Sequence, residues 1–317
     1  MDVNKNSYTI GFATIMVVIV AALLSIASIA LKPYQAKNIE LEKKQNILRS
    51  VGIEKFVSSE KNIDLFINDN LISLKKNDTI FLKKSDKVEF TSSEGEKEEY
   101  KDVILVSREI SEIFYPSFIK EELVVNYLGE IQEGSAFDVD LSKELKKDIS
   151  EQQLPLYIAE VDGNAKYIIP LRGAGLWGPV WGFLAFNEDL DTVSAAVFDH
   201  KGETPGLGAE INKASFQNSF SGKTIFEGVE FTSIEVVKAG NSKGDIHKVD
   251  GISGGTITSV GVSDMIKERL ERYLPYFKIL SPEMQVEEVL NIVDEDEKSD
   301  TTSSTMNEQN KTSNDYE

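Results

Sequence analysis

The segment VDGISGGTITSVGV, Val249 to Val262, gathers Ser253, Thr256, Thr258 and Ser259 around Gly251, Gly254 and Gly255, behind a single acid, Asp250. It holds no cysteine, histidine or basic residue. A strand-to-helix turn accounts for part of this, with Thr258 or Ser259 as the N-cap and one glycine at the bend. It leaves the remaining hydroxyls unexplained. A helix N-terminus carries unpaired N–H groups and the positive end of the helix dipole, and small hydroxyls add donors, so the set suits an anion such as phosphate. The spacing is neither a Walker loop nor the dinucleotide fingerprint, and no lysine follows the glycines. A phosphate held without lysine or Mg²⁺ points to a group that is retained, not one being transferred.

A different chemistry fits the same string. Gly251 to Gly255 spells Gly-x-Ser-x-Gly, with Ser253 as a hydrolase nucleophile. That fold needs an acid and then a histidine further along the chain, and no histidine follows Ser253.

Two more glycine-bearing loops precede this one: LRGAGLWGPVWG, around Leu176 and Trp177, and HKGETPGLGAE, with Glu203, Thr204, Gly206 and Leu207. Each alone is an ordinary tight turn. Together, with an exposed-looking Leu176–Trp177 pair, they favour a flat, apolar ligand. His200, at a strand end beside a turn, is read as structural and not as a proton shuttle.

The elements that must hold these loops are legible in outline. LYIAEVDGNAKYIIPL reads as a hairpin turning at Asp162-Gly163-Asn164, and VWGFLAFNEDLDTVSAAVFD as another turning between Asn187 and Asp191. GVEFTSIEVVKAG supplies one further strand. A last helix, about 259–274, puts Val262, Ile266, Leu270 and Leu274 on one face. Antiparallel strands with segregated helices make an α+β domain. Residues 54–135 mix short β-type runs (DTIFL, KVEFT, DVILVS) with charged connectors and carry no chemical motif.

The 317-residue chain has a formal net charge of −19, which argues against nucleic-acid partners. It contains no cysteine, which removes disulfides and thiolate-held metals, and its two histidines argue against a multi-histidine metal centre. The acidic, Ser/Thr-rich residues 281–317 are expected to form a disordered tail. Ile10 to Leu31 is an uncharged run of about 22 residues, long enough to cross a bilayer and too long for a signal-peptide core. The charges flanking it, Lys5 before and Lys32, Lys37, Lys43 and Lys44 after, leave its orientation open. KPYQAKNIELEKKQNILRSVGI reads as a polar helix continuing out of the membrane.

The opening segment resembles the flavinylation motif of the covalent FMN-binding domain family, an acid followed by Ser-Gly-Ala-Thr-x-Thr. The resemblance makes Thr258 the residue that carries FMN through a phosphoester, with Asp250, Ser253, Gly254 and Thr256 completing the motif and Gly255 standing where alanine is common. ETPGLG, Glu203 to Gly208, resembles the family's flavin-lining signature, and GAGLWG, Gly173 to Gly178, the segment beside the isoalloxazine. Glu203 and Asp250 are then expected to bond the cofactor or cap the loop. With its N-terminal span and LKPYQAKNIELEKKQNIL, the chain is similar to the C subunits of sodium-translocating NADH:quinone reductases; the G subunits of Rnf complexes and a tethered flavin-binding or assembly protein are the alternatives.

That resemblance implies an electron relay in a six-subunit bacterial inner-membrane complex, next to the B subunit and the D/E pair. Its FMN domain would be periplasmic and matured by a flavin transferase. It implies no catalytic acid–base pair on this chain. The expected organisation is a flank (1–9), a membrane helix (10–31), a juxtamembrane helix (32–53), an accessory α/β region (54–135), the FMN-binding domain (136–280) and the tail.

Overall fold

A computed structural model describes residues 6–83, 86–92 and 95–281. The expected tail, from residue 282 onward, and the first five residues of the flank lie outside the described residues. The fold is α+β, with antiparallel sheets and flanking helices behind one long N-terminal helix.

That helix, α1 (Asn6–Ser50), runs unbroken through Pro33. It is long and apolar enough to cross a membrane, and its apolar window is fully exposed. Its far end departs from the expected polar helix. Ile39 is exposed, but Leu41, Ile47 and Leu48 are buried. The charged residues between them are half-buried, with Lys43 bonded to the Phe137 carbonyl, so the interleaving marks an end of the helix that docks onto the domain.

Beyond α1, β1 (Lys55–Ser58), β2 (Ile63–Ile67), β3 (Asn70–Leu74), β4 (Thr79–Leu82), β5 (Val88–Thr91), β6 (Lys97–Glu99) and β7 (Ile104–Leu105) form two small antiparallel sheets, ordered β4-β1-β7 and β3-β2-β5-β6. They share a core of their own around Val57, Leu65, Leu74 and Leu82. Ser107 then caps α2 (Arg108–Phe118) by accepting the Ile110 N–H.

The central element is a six-stranded antiparallel sheet of β8 (Ile119–Val125), β9 (Ile131–Gln132), β10 (Leu154–Val161), β11 (Asn164–Ala174), β12 (Pro179–Phe186) and β13 (Val193–His200), ordered β13-β12-β11-β10-β8-β9. The β10–β11 turn is Asp162-Gly163, both at positive φ (54° and 78°), the two-residue turn whose twist suits a hairpin. The turn over 187–191 joins β12 to β13 as the pattern indicates.

A one-turn helix, α3 (Leu141–Glu144), precedes β10, and another, α4 (Ala214–Gln217), follows β13. The stretch read as one strand within GVEFTSIEVVKAG is two. β14 (Phe226–Glu227) pairs with β15 (Glu230–Phe231), and β16 (Glu235–Val237) pairs in parallel with β17 (Lys248–Asp250). Ser233, at φ 64°, breaks the run between them.

The last helix, α5 (Thr256–Leu280), is longer at both ends than the expected 259–274, and its N-cap is Gly255 instead of Thr258 or Ser259. Thr258 and Ser259 lie inside it because their hydroxyls bond elsewhere. Val262, Met265, Ile266, Leu270, Tyr273 and Phe277 bury one face of α5 on the sheet, with Leu274 half-buried beside them. On the opposite face of the sheet, Tyr157, Ala159, Ile168, Phe183 and Ala185 pack against the end of α1 and against α2.

Candidate functional site

The site forms where α5 begins, against the ends of β11 and β13. Gly261, in the first turns of α5, is what permits this approach: a Cβ there would collide with the Ala174 carbonyl oxygen at the end of β11. The loop before α5 is tied down by its own groups. The Gly251 N–H donates to Val237 O at 2.7 Å, the Ile252 N–H to Ser259 Oγ at 3.0 Å, and the Gly255 N–H to Ile252 O at 2.9 Å.

Helical bonding starts with the Ser259 N–H on Gly255 O, so the N–H groups of Thr256, Ile257 and Thr258 belong to the open first turn. Thr256, Ser253 and Gly254 are exposed there. Gly255 is buried, and a Cβ on it would sit 3.1 Å from both Gly208 N and Ile252 Cβ. The loop has closed around glycine at the position where the family motif commonly has alanine.

Thr258 is 1% exposed and donates its hydroxyl to Glu203 Oε2 at 2.6 Å; Glu203 is itself 5% exposed. Its other oxygen, Oε1, accepts the Trp177 N–H at 2.8 Å. One carboxylate therefore links the three glycine-bearing loops across 55 residues of sequence on one side and 26 on the other. Gly208 lies directly on the pair. A Cβ on it would collide with Thr258 Oγ1 and stand 2.6 Å from Glu203 Oε2. His200 closes β13 and accepts the Glu203 N–H on Nδ1 at 3.1 Å, which fixes the backbone at the start of the Glu203 loop.

Not every residue singled out in the sequence joins this cluster. The Asp250 carboxylate accepts the Ser242 N–H at 2.9 Å, and that bond, reinforced by the Gly240 and Asn241 N–H groups, holds it below the usual carboxylate range. It caps the 240–242 loop, so Glu203 and Asp250 do not form a carboxylate pair. Thr204 serves through its carbonyl, which receives the Leu207 and Ala209 N–H groups, and the Gly206 N–H goes to Glu210. Of the histidines, His200 Nδ1 is engaged as above while its Nε2 is buried without a hydrogen-bond partner among the described residues, and His247 Nδ1 bonds Thr224 O at 2.8 Å. The Ser253 hydrolase reading gains nothing from either.

Around the buried hydroxyl the surface is apolar. Leu176, Trp177 (68% exposed), Leu207, Ile257 and Val260 are large and exposed on the three loops and the first turns of α5. Leu207 borders the motif loop, since a Cβ on Gly254 would stand 2.7 Å from its Cδ2. Ile257 and Val260 escaped the sequence reading. Their signal was present: both are apolar and out of phase with the core stripe through Val262 and Ile266.

These features fit a nucleotide monoester: N–H groups at an open helix start, an adjoining hydroxyl, a backbone cradle without side chains, and flat apolar residues at its rim. They define a flavin-nucleotide-binding domain, and residues 175–271 match the family model described as the FMN-binding domain.

Over 174 residues the chain is 34% identical to the C subunit of the Na(+)-translocating NADH-quinone reductase of Vibrio alginolyticus, covering 49% of this chain and 67% of that relative. With the corresponding C subunit of Pseudomonas aeruginosa it shares 29% identity over 279 residues, covering 83% and 91%. The crystal structure of the C subunit from Parabacteroides distasonis superposes with a TM-score of 0.58 at 38% identity, covering 78% of this chain and 96% of that one. The chain belongs to the family of Na(+)-translocating NADH-quinone reductase C subunits.

Proposed function

We propose that the chain is an electron-transfer subunit of a Na⁺-translocating NADH:quinone reductase and holds FMN as a phosphoester on Thr258. The observation that carries this reading is the Thr258 hydroxyl, placed at the open first turn of α5 inside a cradle built from three glycine-bearing loops. The N–H groups of Thr256, Ile257 and Thr258 would bind the phosphoryl oxygens, with Ser253 adding a donor at the rim. Leu176, Trp177, Leu207, Ile257 and Val260 would border the ring system. FMN supplies the redox chemistry, and the protein orients it and sets its potential.

Covalent attachment suits so open a rim. An exposed platform buries little of a ligand, so non-covalent affinity is limited. A flavin transferase would complete the subunit. α1 would anchor it in the inner membrane as a single span with the FMN domain on the periplasmic side, against the B subunit and the D/E pair. The Ile10–Leu31 run carries no charge, which makes it a poor candidate for the ion path.

The test uses membranes containing the whole complex. Addition of NADH should bleach the flavin absorbance of this chain, and a quinone should restore it. A chain whose flavin absorbance ignores NADH would contradict the relay.

A further inference from the structure

We propose that Glu203 is the proton acceptor in esterification of Thr258; this rests on Thr258 being the flavin acceptor. An alcohol is a poor nucleophile unless a base removes its proton, and that base must lie within about 2.6–3.2 Å. Glu203 Oε2 is 2.6 Å from Thr258 Oγ1, and both side chains are buried. The other candidates are engaged elsewhere. Asp250 accepts from Ser242, and His200 Nδ1 accepts from the Glu203 backbone. The Trp177 N–H on Oε1 and the press of Gly208 hold the carboxylate in this orientation.

The step balances with a flavin dinucleotide as donor. The bond from Thr258 Oγ1 to the flavin-side phosphorus forms, and the phosphoanhydride bond breaks. The nucleoside monophosphate leaves with the electron pair, and the hydroxyl proton passes to Glu203 Oε2.

The test is single-turnover flavin transfer onto the full-length chain in detergent, with flavin transferase, FAD and Mg²⁺, read by in-gel fluorescence and by mass. Glu203→Gln keeps the shape and an oxygen for the Trp177 N–H but cannot take the proton. Its rate should fall about 10²-fold or more, with the transferase concentration for half-maximal rate unchanged. The deficit should narrow as pH rises and hydroxide takes over proton removal. Glu203→Asp, one methylene short, should fall between.

Transfer to Glu203→Gln at the wild-type rate, or a deficit constant across pH, overturns the proposal. Should Glu203→Gln not fold by thermal unfolding, the full wild-type rate in Glu203→Asp overturns it instead. If the wild-type chain gains no flavin, the acceptor reading fails and takes the proposal with it. If wild type and Glu203→Gln gain it equally fast, only the role of Glu203 fails.

Discussion

Ile168 and Ile169 are neighbours on β11, both fully buried, and they point to opposite faces of the same sheet. Ile169 joins the core under α5, the helix that starts at the candidate site. Ile168 joins the core under α2 and the end of α1, the helix that arrives from the apolar N-terminal run. Both faces are packed by side chains, and they differ at the end where the candidate site lies. On the α5 side, a side-chain core with Phe186 edge-on to Phe277 gives way at the site end to close glycine contacts: Gly261 lies on the Ala174 backbone, and Gly208 on the Thr258 side chain. On the α1 side, bulky side chains fill the gap, with Phe56, Phe81 and Phe114 in edge-on contact. There Lys43 donates to the Phe137 carbonyl and lies 4.4 Å from that ring. The glycine-lined end of the α5 side forms the candidate site; the α1 side serves as the joint to the N-terminal helix.

The sharpest way to break this comparison is Thr258→Val. Covalent flavin should vanish completely from the denaturing gel, while loss of the Glu203 bond lowers stability by about 1–3 kcal/mol. A variant that still fluoresces would strip the α5 side of its assigned role. Gly208→Ala comes next. Its methyl has no space above Thr258, so overpacking should cost about 1–3 kcal/mol and flavin attachment should drop severely. Wild-type flavin content in that variant would show that the cradle yields easily.

Ile168→Ala and Ile169→Ala then separate the faces. Each should cost about 2–5 kcal/mol by denaturant unfolding. Only Ile169→Ala should slow flavin attachment among molecules that remain folded, and the reverse order would dissolve the distinction.

The smallest effect belongs to Lys43. Burial lowers its ammonium from the usual 10.5 to about 8. Below pH 8 both folded and unfolded chains hold the proton, and the folded form bears the cost of the buried charge. Between about pH 8 and 10.5 the unfolded chain binds more protons, so stability rises with pH. Lys43→Met should flatten that rise, by on the order of 1 kcal/mol once the lost carbonyl and aromatic contacts are discounted. An unchanged slope in the pH series of unfolding midpoints would refute this.

The same contrast explains what was legible in the sequence. Hairpins announced themselves through Asp162-Gly163-Asn164 and the 187–191 turn, and the site side through three clusters of glycine, because local backbone demands are written locally. The N-cap of α5 was misplaced because Thr258, a good local cap, is recruited by Glu203 from 55 residues away. No window of sequence contains that competition. The α1 joint was hidden for a related reason. Ile47 and Leu48 are too sparse among charges to signal burial until β10, β11 and β12 present a face to them. β8, in a stretch without motif, pairs with β10 through partners that run from Val125 with Leu154 to Ile119 with Ala159, far outside any local window.

The most direct measurement is the mass of the peptide containing Thr258, cleaved from the full-length chain taken from native membranes. Esterification at this hydroxyl predicts a peptide with the added mass of an FMN phosphoryl group, and fragmentation that locates it on Thr258. A peptide at its bare amino-acid mass, or a flavin located on Thr256 or Ser253 instead, would contradict it.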